Sequence, residues 1–289
     1  MKLAAFAPCK INRELRVGRL RPDGYHEVLS RMMTIDLADR LTAERSDRLE
    51  LACDDPSLPS GSDNLVVRAA ERLAAFAGVS SGAALRLEKR VPAGGGLGGG
   101  SSDAACALRL LAALWGLSVS EADLHAVAAG LGSDVPFFLP GGEADVSGRG
   151  EVVTALPDSG AEPADLLLLV PPIAISTAAV YREYAGRGTL PARLSLAPPG
   201  EKGGEKFLGP NDLAPAVLEM EPRMEAYVRS AAQLTADWAI SGSGATIVLH
   251  GSSAGAEALA RLHPEARVLA CRSLSRAEYH RMTRPTEVT

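Results

Sequence analysis

The stretch LRLEKRVPAGGGLGGGSSDAACALRLLAALW, residues 85–115, decides the fold. Leu85 to Val91 partly alternate apolar with charged side chains, a pattern typical of a half-buried strand. Six of the seven residues from Gly94 to Gly100 are glycine. After Ser101 and Ser102, both good N-cap residues, the chain is apolar on nearly every face, which predicts a helix buried in the centre of a domain. The predicted order is strand, glycine loop, buried helix.

The glycine loop, Pro92 to Ser102, needs an explanation because glycine loses the most backbone entropy when it is ordered. A loop without Cβ atoms can turn its N–H groups inward at the start of a helix, where the helix dipole also favours negative charge. Together these properties predict an anion cradle, with phosphate as its natural occupant. A flexible linker is disfavoured, because the loop joins a patterned strand to a buried helix.

Two known nucleotide-binding patterns fit this loop poorly. Gly94, Gly96 and Gly99 match the dinucleotide-binding pattern GxGxxG, and Glu121 lies 22 positions beyond Gly99. Six glycines in seven match that pattern almost by accident. The Walker pattern requires GK[ST], whereas this loop ends in GSSD. A kinase with this loop is therefore not a P-loop kinase.

The composition of the 289 residues, 46% hydrophobic and 22% charged, is that of a globular chain, and the length predicts two domains that share a cleft. The net charge of -5 gives no global attraction for nucleic acid or an anionic membrane. Cys9, Cys53, Cys106 and Cys271 are far apart and form no CxxC pair, which favours neither a zinc site nor a disulfide framework. We therefore expect a cytoplasmic protein.

Neither the N-terminus nor the most apolar segment predicts a membrane element. The apolar run in MKLAAFAPCKIN, residues 1–12, is too short for a signal peptide and is interpreted as a first strand. Ala164 to Ile175 is interrupted by Pro171 and Pro172 and is shorter than the ~18 residues that cross a bilayer.

Turn-rich segments predict a domain boundary near residue 152. We expect an N-terminal ATP-binding and catalytic domain, residues 1–152, and a C-terminal domain, residues 153–289. In the first, helical spacing predicts a helix from Leu65 to Ala77 after an Asp63 cap and another after Ser120. The second is expected to contain a buried strand at 166–170, a long loop at 191–209, a mainly helical stretch at 213–232, and a strand–helix–strand unit at 245–249, 253–262 and 267–270.

The motif PAGGGLGGGSSDAA, residues 92–105, resembles the phosphate-binding motif of the GHMP kinases. PCKIN at 8–12 and PDGYHE at 22–27 resemble the branch of that superfamily that phosphorylates a cytidine diphosphate substrate in isoprenoid biosynthesis. Further matching motifs are NLVVRAA at 64–70, LGSDVPFF at 131–138, GRGE at 148–151, PNDL at 210–213 and ISGSGAT at 240–246. The resemblance implies a two-domain α/β (α+β) GHMP kinase fold, with an N-terminal ribosomal protein S5-like domain, a C-terminal ferredoxin-like domain and the active site between them.

Asp134 and Lys10 are the candidate catalytic residues. Phosphoryl transfer to a hydroxyl requires a base within reach of its proton, and Asp134 lies in a tight GSDVP turn where a carboxylate has little structural role. It could also be the N-cap of a following turn. Lys10 lies among apolar and small residues and needs a charged partner there, unless it extends to water as a strand-end lysine. The resemblance implies that Lys10 lies beside Asp134 and stabilises its charged form.

Aromatic residues are only 4% of the chain, so those in loops are candidates for binding a nucleobase. The resemblance implies that cytosine lies between Tyr25 and Tyr181, with His26 on its polar edge. DGYH is also consistent with a β-turn that carries a packing tyrosine.

The remaining site predictions also follow from the resemblance. Asn12 and Thr177 are expected near the sugar-alcohol and phosphate groups of the substrate, Asn64 near the adenine, and the substrate-facing turn Gly242, Ser243 and Gly244 near the phosphates. Ser101 and Ser102 can offer hydroxyls to phosphate or Mg²⁺, but no magnesium carboxylate is evident. The nucleotide-binding residues are predicted to be Asn64, Pro92, Ala93, Gly94, Gly95, Gly96, Leu97, Gly98, Gly99, Gly100, Ser101 and Ser102.

The resemblance therefore predicts an ATP- and Mg²⁺-dependent small-molecule kinase, a monomer or weak homodimer, with no nucleic acid or membrane partner. The alternatives are another GHMP kinase such as homoserine kinase, an NAD-dependent oxidoreductase, and a catalytically silent binding protein. Cys9 stands where the family usually has alanine, and Arg13 and Glu14 replace apolar residues. Because of this charged pair, the sequence does not predict how the strand packs after Asn12.

Overall fold

The computed structural model describes residues 1–158, 160, 162–188, 190, 191, 193–196 and 207–288, without the side chain of Ser253. Two β-sheets and eight α-helices are found in this part of the chain. Much of the loop predicted at 191–209 lies outside the described residues. No helix in the described ranges combines the length and the apolar character needed to cross a bilayer.

The first sheet has seven strands and contains the predicted N-terminal strand. Its strands are β1 Lys2–Leu20, β2 His26–Ser46, β3 Leu49–Cys53, β4 Gly82–Glu88, β5 Glu143–Ser147, β6 Val152–Ala155 and β11 Thr286–Glu287. The order is β11-β1-β2-β4-β3, and β5 pairs with both β2 and β6. The sheet thus extends past residue 152 and takes up a strand from the end of the chain, while the domain division near that residue stays a prediction.

The pairing of β1 with β2 is interrupted where the candidate site begins. The register shifts between Pro8 and Lys10 and again between Asn12 and Glu14. Such bulges add a residue to one strand and redirect its side chains, and they are common next to active sites. Lys10 and Asn12 are two positions apart and lie on the same face of the strand. The second bulge lies at Arg13 and separates it from Glu14. These are the two charged residues whose packing the sequence did not predict.

Three helices cover one side of the first sheet: α1 Leu65–Ala77, α2 Gly99–Trp115 and α3 Glu121–Leu131. Helix α2 is buried along its length, from Ser102 to Leu114, as its all-apolar sequence predicts. Its many alanines allow close approach of the strands and of α1, and this packing forms the largest apolar cluster of the described chain. The buried helix therefore fixes the end of the glycine loop against the sheet.

Three predicted helix and strand ends are corrected. Helix α1 is capped by Asn64, whose side chain accepts from the Val66 amide, and not by Asp63. Helix α2 begins at Gly99, because Gly98 adopts a left-handed conformation with φ 67° that interrupts the chain before the serines. Strand β4 ends at Glu88. The Ser120 cap of α3 is confirmed.

The second sheet is antiparallel, with the order β10-β7-β9-β8. Its strands are β7 Asp165–Val170, β8 Trp238–Ile240, β9 Ile247–His250 and β10 Arg267–Arg272. The remaining helices are α4 Thr177–Ala185, α5 Ala214–Met220, α6 Met224–Leu234, α7 Ser253–Leu262 and α8 Arg276–Thr283. The predicted strand–helix–strand unit is confirmed as β9, α7 and β10, whereas the helical stretch predicted at 213–232 is divided at Glu221 between α5 and α6.

A small apolar cluster joins the two sheets below the glycine loop. Cys9 and Ile11 of β1 and Leu97 of the loop pack with Leu168 of β7 and Val248 of β9. All five are buried. Because this contact is made of fitted apolar side chains, the loop is held between the two sheets, and the residues that rim the cluster face a common cleft.

Candidate active site

The predicted site residues meet at one large cavity. Its volume is about 1360 Å³, and its lining includes all of the predicted site residues except Ser102 and Gly244. The lining comes from β1, β2, the glycine loop, α4 and the turn between β8 and β9. A cavity of this size accepts a nucleotide together with a second small molecule.

The glycine loop lies against the turn between β8 and β9, and its shape depends on the absence of side chains. Gly96 has φ +76°, and a Cβ added there would lie 2.1 Å from the carbonyl oxygen of Ser241. Gly98 has φ +67°, and its Cβ would lie 3.0 Å from Cγ of Lys10. Because α2 begins at Gly99, the first amides of the helix have no partner within the helix. The bare loop and these amides are suited to phosphate.

The turn Gly242 to Gly244 closes the cavity from the second sheet. Asn211 holds it through Nδ2, which donates to the carbonyl oxygens of Ile240 at 2.8 Å and Gly242 at 2.7 Å. The hydroxyl of Ser241 donates to the carbonyl of Gly96 at 3.0 Å. The turn is therefore tied to the glycine loop, which explains why both glycine segments face one cavity.

Thr177 and Ser243 connect α4 to this turn. Their hydroxyl oxygens are 2.7 Å apart, and both residues line the cavity. Gly244 points away: a Cβ there would meet Val217, Ile175 and Ile240. Ser243 and Gly242 are therefore the members of the predicted turn that reach the cavity.

Lys10 lies beside Asp134, as predicted. Nζ of Lys10 is 3.5 Å from Oδ2 of Asp134, and the two side chains are 4% and 32% exposed. Lys10 also donates to Oδ1 of Asn12 at 2.6 Å and to the carbonyl of Gly96 at 3.1 Å. Its three donors are thus directed at three acceptors inside the protein. The alternative prediction, that Lys10 is a strand-end lysine extending to water, is wrong.

The carboxylate of Asp134 reaches the cavity past a glycine. A Cβ on Gly150, which has φ +121°, would lie 3.6 Å from Oδ1 of Asp134 and 3.3 Å from Cβ of Ser133. Asp134 itself precedes a short 3₁₀ helix, Pro136–Phe138, whose N-cap is Val135. Asp134 is therefore not the cap of that turn, and its carboxylate is free to meet a bound hydroxyl.

His26, Tyr181 and Tyr25 form an aromatic wall at one end of the cavity. The rings of His26 and Tyr181 are stacked with centroids 5.8 Å apart. Tyr25 is 50% exposed, and the guanidinium of Arg149 lies 5.1 Å from its ring centroid. His26, rather than Tyr25, is the ring that faces Tyr181 in this structure.

The hydrogen bond of His26 fixes its ring. Nδ1 lies 2.9 Å from the carbonyl oxygen of Gly18. Because a carbonyl can only accept, Nδ1 carries a proton, and in the neutral ring Nε2 is the acceptor. Burial, and then the charge of Asp134, raise the pKa of the Tyr181 hydroxyl, so this ring stays neutral and suited to stacking.

Comparison with known proteins shows the family to which the chain belongs. Residues 64–142 match the family model described as the GHMP kinases N terminal domain. A protein of Salinibacter ruber named 4-diphosphocytidyl-2-C-methyl-D-erythritol kinase is 42% identical over 276 residues, which cover 91% of this chain and 96% of that protein. The chain belongs to the 4-diphosphocytidyl-2-C-methyl-D-erythritol kinase family.

Solved structures agree with this family membership. A crystal structure of 4-(cytidine 5'-diphospho)-2C-methyl-D-erythritol kinase superposes with a TM-score of 0.76 at 33% identity and covers 93% of this chain and 98% of its own. A homoserine kinase from Cytophaga hutchinsonii has a TM-score of 0.70 at 17% identity, with 99% and 96% covered, and shares the fold. The predicted GHMP kinase fold is confirmed, the chain is a small-molecule kinase, and the NAD-dependent oxidoreductase is excluded.

In this kinase, the side chains of two predicted nucleotide-binding residues form hydrogen bonds to the backbone of the protein itself. Asn64 lines the cavity, but Oδ1 accepts from the Val66 amide at 2.9 Å and Nδ2 donates to the carbonyl of Pro59 at 2.7 Å. The hydroxyl of Ser102 is buried and donates to the carbonyl of Pro8 at 2.7 Å. Of the two serines, only Ser101 lines the cavity.

The charged pair after Asn12 is accommodated without disturbing Lys10. Arg13 pairs with Glu143, donates from Nε to the carbonyl of Phe207 at 2.9 Å and lies 4.1 Å from the centroid of the Phe207 ring. Glu14 is buried and accepts from Nε of Arg16 at 2.8 Å. Each charge therefore has its own partner, on opposite sides of the bulge.

Sequence reasoning missed several residues of the kinase site. Lys89 and Asp103 line the cavity and form an ion pair, and Arg149 covers Tyr25. The segment that contains Lys89 was predicted only as a strand. Arg149 belongs to the GRGE motif, which matched the family pattern, but no function was predicted for this arginine. Among the described residues, no group of three His, Cys, Asp or Glu side chains is placed to hold a metal ion.

Proposed function

We propose that this kinase transfers the γ-phosphoryl group of ATP to the 2-hydroxyl of 4-diphosphocytidyl-2-C-methyl-D-erythritol, giving the 2-phosphate and ADP in non-mevalonate isoprenoid biosynthesis. The observation that carries the proposal is the position of the Lys10–Asp134 ion pair. It lies where the glycine loop, which suits phosphates, meets the part of the cavity that leads to the aromatic wall. One molecule can thus place a base at the wall and a hydroxyl at the ion pair.

The cavity offers a fit for both ATP and Mg²⁺. Gly96 and Gly98 let the loop pack against Ser241 and Lys10, where a Cβ would collide, and the amides at the start of α2 that lack a partner within the helix suit negative charge. Ser101, at the start of α2, and Asp134, beside Lys10, are oxygen-bearing side chains of the lining that would be placed to hold Mg²⁺. Mg²⁺ is usually held by substrate phosphates with one or two protein oxygens, and it supplies charge neutralisation when bound.

Asp134 is proposed as the base that accepts the proton of the substrate hydroxyl. As the hydroxyl oxygen forms its bond to the γ-phosphorus, its proton passes to Oδ2 of Asp134, and the bond between the γ-phosphorus and the bridging oxygen of ADP breaks. Lys10 pairs with the carboxylate of Asp134 and is proposed to orient the hydroxyl. Because Lys10 is held by Asn12 and Gly96 as well, this geometry is set before the substrate binds.

The aromatic wall is proposed to bind cytosine. Nε2 of His26 is an acceptor, and cytosine presents an exocyclic amino group as a donor, whereas uracil presents a carbonyl at that position. Stacking on Tyr181 and Tyr25 would hold the ring faces, with a movement of the exposed Tyr25. Homoserine lacks a base, so this wall favours the cytidyl substrate over homoserine.

The proposed function includes the type of partner, the location and the oligomeric state of the enzyme. The partner is a small molecule, and the net charge of -5 favours no nucleic acid. We place the enzyme in the cytoplasm as a monomer or weak homodimer, in line with its four free cysteines.

The test is ADP release from ATP and Mg²⁺ with the cytidyl substrate, for the wild type and for Asp134→Asn. We expect substrate-dependent release that falls by about 10²- to 10⁴-fold in the variant, the range for loss of a general base. Asp123→Asn, a change of the same kind on the surface helix α3, is the control. No release by a folded wild type would overturn the substrate assignment, and homoserine would be assayed next.

A further inference from the structure

A second cavity lies where the two ends of the chain meet. Its volume is about 570 Å³, and its lining comes from β1, β2, β10, α8 and the segment around β11. In the part of the chain that the structure describes, it shares no lining residue with the active-site cavity. A cavity of this size accepts a small molecule. It therefore needs an explanation that the kinase reaction does not supply.

Part of the lining is apolar. Ala4 and Leu274 are buried, Met282 is half-buried, and the Phe6 side chain is 38% exposed. Phe6 of β1 is paired with Arg40 of β2, so an apolar ring and a cation lie side by side on one face of the sheet. Water is held poorly against apolar surface, which favours an apolar group in this part of the cavity.

The polar part of the lining is rich in arginine. Arg40 and Arg272 already have carboxylate partners, at 3.3 and 2.9 Å. Arg281 and Arg284 also line the cavity, and their guanidinium groups form no hydrogen bond or ion pair with any described residue. Two positive charges are thus left uncompensated at one cavity, in a chain whose net charge is -5.

The position of these two arginines at the end of α8 explains only part of their arrangement. Arg281 lies in the last turn of the helix and Arg284 is its C-cap, where the helix dipole favours cations. The dipole has no need of an apolar lining beside them. Glu278 is the acidic residue of the lining, but its carboxylate already accepts hydrogen bonds from Ser275 and Arg272. A negative group from outside the chain is therefore the natural partner of Arg281 and Arg284.

We propose that this cavity, which we call the arginine pocket, is a second ligand site that binds a small organic phosphate with an apolar tail. The phosphate binds to Arg281 and Arg284, because two planar guanidinium groups match the oxygens and the double charge of a phosphate. The tail lies against Phe6 and Leu274. The inference goes beyond the proposed function, and it holds whichever hydroxyl the kinase phosphorylates.

The experiment is titration calorimetry of the whole protein with n-octyl phosphate at pH 7.5. We expect saturable binding of one molecule. Inorganic phosphate lacks the tail and octan-1-ol lacks the charge, so each should bind at least about tenfold more weakly. Octanoate carries the same kind of tail but a single charge, and it should also bind more weakly than octyl phosphate.

Three variants locate the site. The double variant Arg281→Gln, Arg284→Gln should raise the Kd for octyl phosphate by about tenfold or more, because it loses charge-assisted hydrogen bonds. Phe6→Ser should weaken octyl phosphate and leave the weak binding of inorganic phosphate unchanged. The double variant Arg229→Gln, Arg261→Gln removes the same charge from exposed positions on α6 and α7, and it should keep the wild-type Kd.

Kinase activity reports that these variants are folded. All the substituted side chains lie outside the lining of the active-site cavity, so we expect wild-type rates of ADP release from each variant. A titration that fails while the wild type turns over the cytidyl substrate would overturn the arginine pocket and leave the proposed function standing. Loss of turnover with intact binding of octyl phosphate would do the reverse.

The other outcomes test the parts of the inference. An unchanged Kd in the double variant Arg281→Gln, Arg284→Gln, together with displacement by ADP, would place octyl phosphate at the glycine loop and overturn the second site. Inorganic phosphate or octan-1-ol that binds as tightly as octyl phosphate would contradict a joint role of cations and apolar lining, and tighter binding of octanoate would contradict the phosphate head. Capture of the protein by phosphatidylglycerol vesicles, without binding of octyl phosphate up to about 1 mM, would assign the arginines to a membrane surface instead.

Discussion

The ammonium group of Lys10 donates a 2.6 Å hydrogen bond to Oδ1 of Asn12, and the same amide donates through Nδ2 to the hydroxyl of Ser30 at 2.8 Å. Ser30 in turn donates to the carbonyl of Glu14 at 2.6 Å. This chain of donors fixes the amide orientation of Asn12, and Asn12 fixes Lys10 beside Asp134. Asn12 therefore acts on the ion pair from within β1.

Replacing Asn12 with Ala should lower kcat by about 10- to 100-fold, because a buried ammonium loses one of its three acceptors. The KM for ATP should change less, since the glycine loop keeps its own contacts. Steady-state kinetics with both substrates measures the two effects. Ser30→Ala, which keeps the Lys10–Asn12 contact and removes only its support, is the matched control. A larger loss of kcat in Ser30→Ala than in Asn12→Ala would contradict the direct role of Asn12.

Gly96→Ala should weaken ATP binding far more than Gly94→Ala. Both glycines have positive φ, +76° and +69°, so both substitutions carry the cost of a left-handed alanine, about 1 kcal/mol. At Gly96 the added Cβ would also meet the carbonyl of Ser241 at 2.1 Å, whereas nothing lies within 4 Å at Gly94. Gly94→Ala is thus a control for backbone strain alone. Equal Kd values for ATP in the two variants would show that the contact with Ser241 does not shape the loop.

The sequence was sufficient for the features that depend on neighbouring residues. The glycine loop, the buried helix after it and the N-terminal strand all follow from local pattern. The resemblance of PCKIN and GSDVP to family motifs supplied the pairing of Lys10 with Asp134, which spacing alone could not, because Lys10 lies in β1 and Asp134 in the distant turn after α3.

Features that depend on distant contacts were missed. The local pattern indicates only a strand at Lys89, because its partners, Asp39 and Asp103, are 50 and 14 positions away. Ser101 and Ser102 are typical N-cap residues, but the tertiary fit of Gly98 against Lys10 starts α2 earlier, at Gly99. Pairing of Thr286–Glu287 with β1 joins the two ends of the chain, and no local pattern indicates it.

His26→Phe should remove the discrimination between cytosine and uracil. In the wild type, CDP should inhibit competitively at a concentration about 10- to 100-fold lower than UDP, because UDP would place a carbonyl against the acceptor Nε2 of His26. The variant keeps a ring for stacking on Tyr181 and has no acceptor, so the two inhibition constants should approach each other. His125→Phe on α3 serves as the control and should keep the wild-type ratio. A ratio near one in the wild type would contradict the role of His26.

Helix α8 begins with a capping box whose carboxylate should make stability depend on pH. Oε2 of Glu278 accepts from the amide and hydroxyl of Ser275, at 3.0 and 2.8 Å, and Oε1 accepts from Arg272 at 2.9 Å. The amide and hydroxyl of Ser275, followed by Arg272, lower the pKa of Glu278 to about 2. Because the pKa is lowered on folding, this contribution is present above pH ~4.5 and is lost as the pH falls towards 2.

Glu278→Gln should lower the free energy of unfolding by about 1 kcal/mol at pH 7, the usual value for a weakened helix cap. The difference from wild type should shrink as the pH falls from 4.5 to 3, because the carboxylate of the unfolded wild type takes up a proton in this range while that of the folded protein does not, which favours unfolding. Urea denaturation at several pH values measures both quantities. Glu287→Gln, an exposed change in β11, controls for net charge. A difference that is the same at pH 3 and pH 7 would assign the loss to packing of the new amide rather than to the charge on the cap.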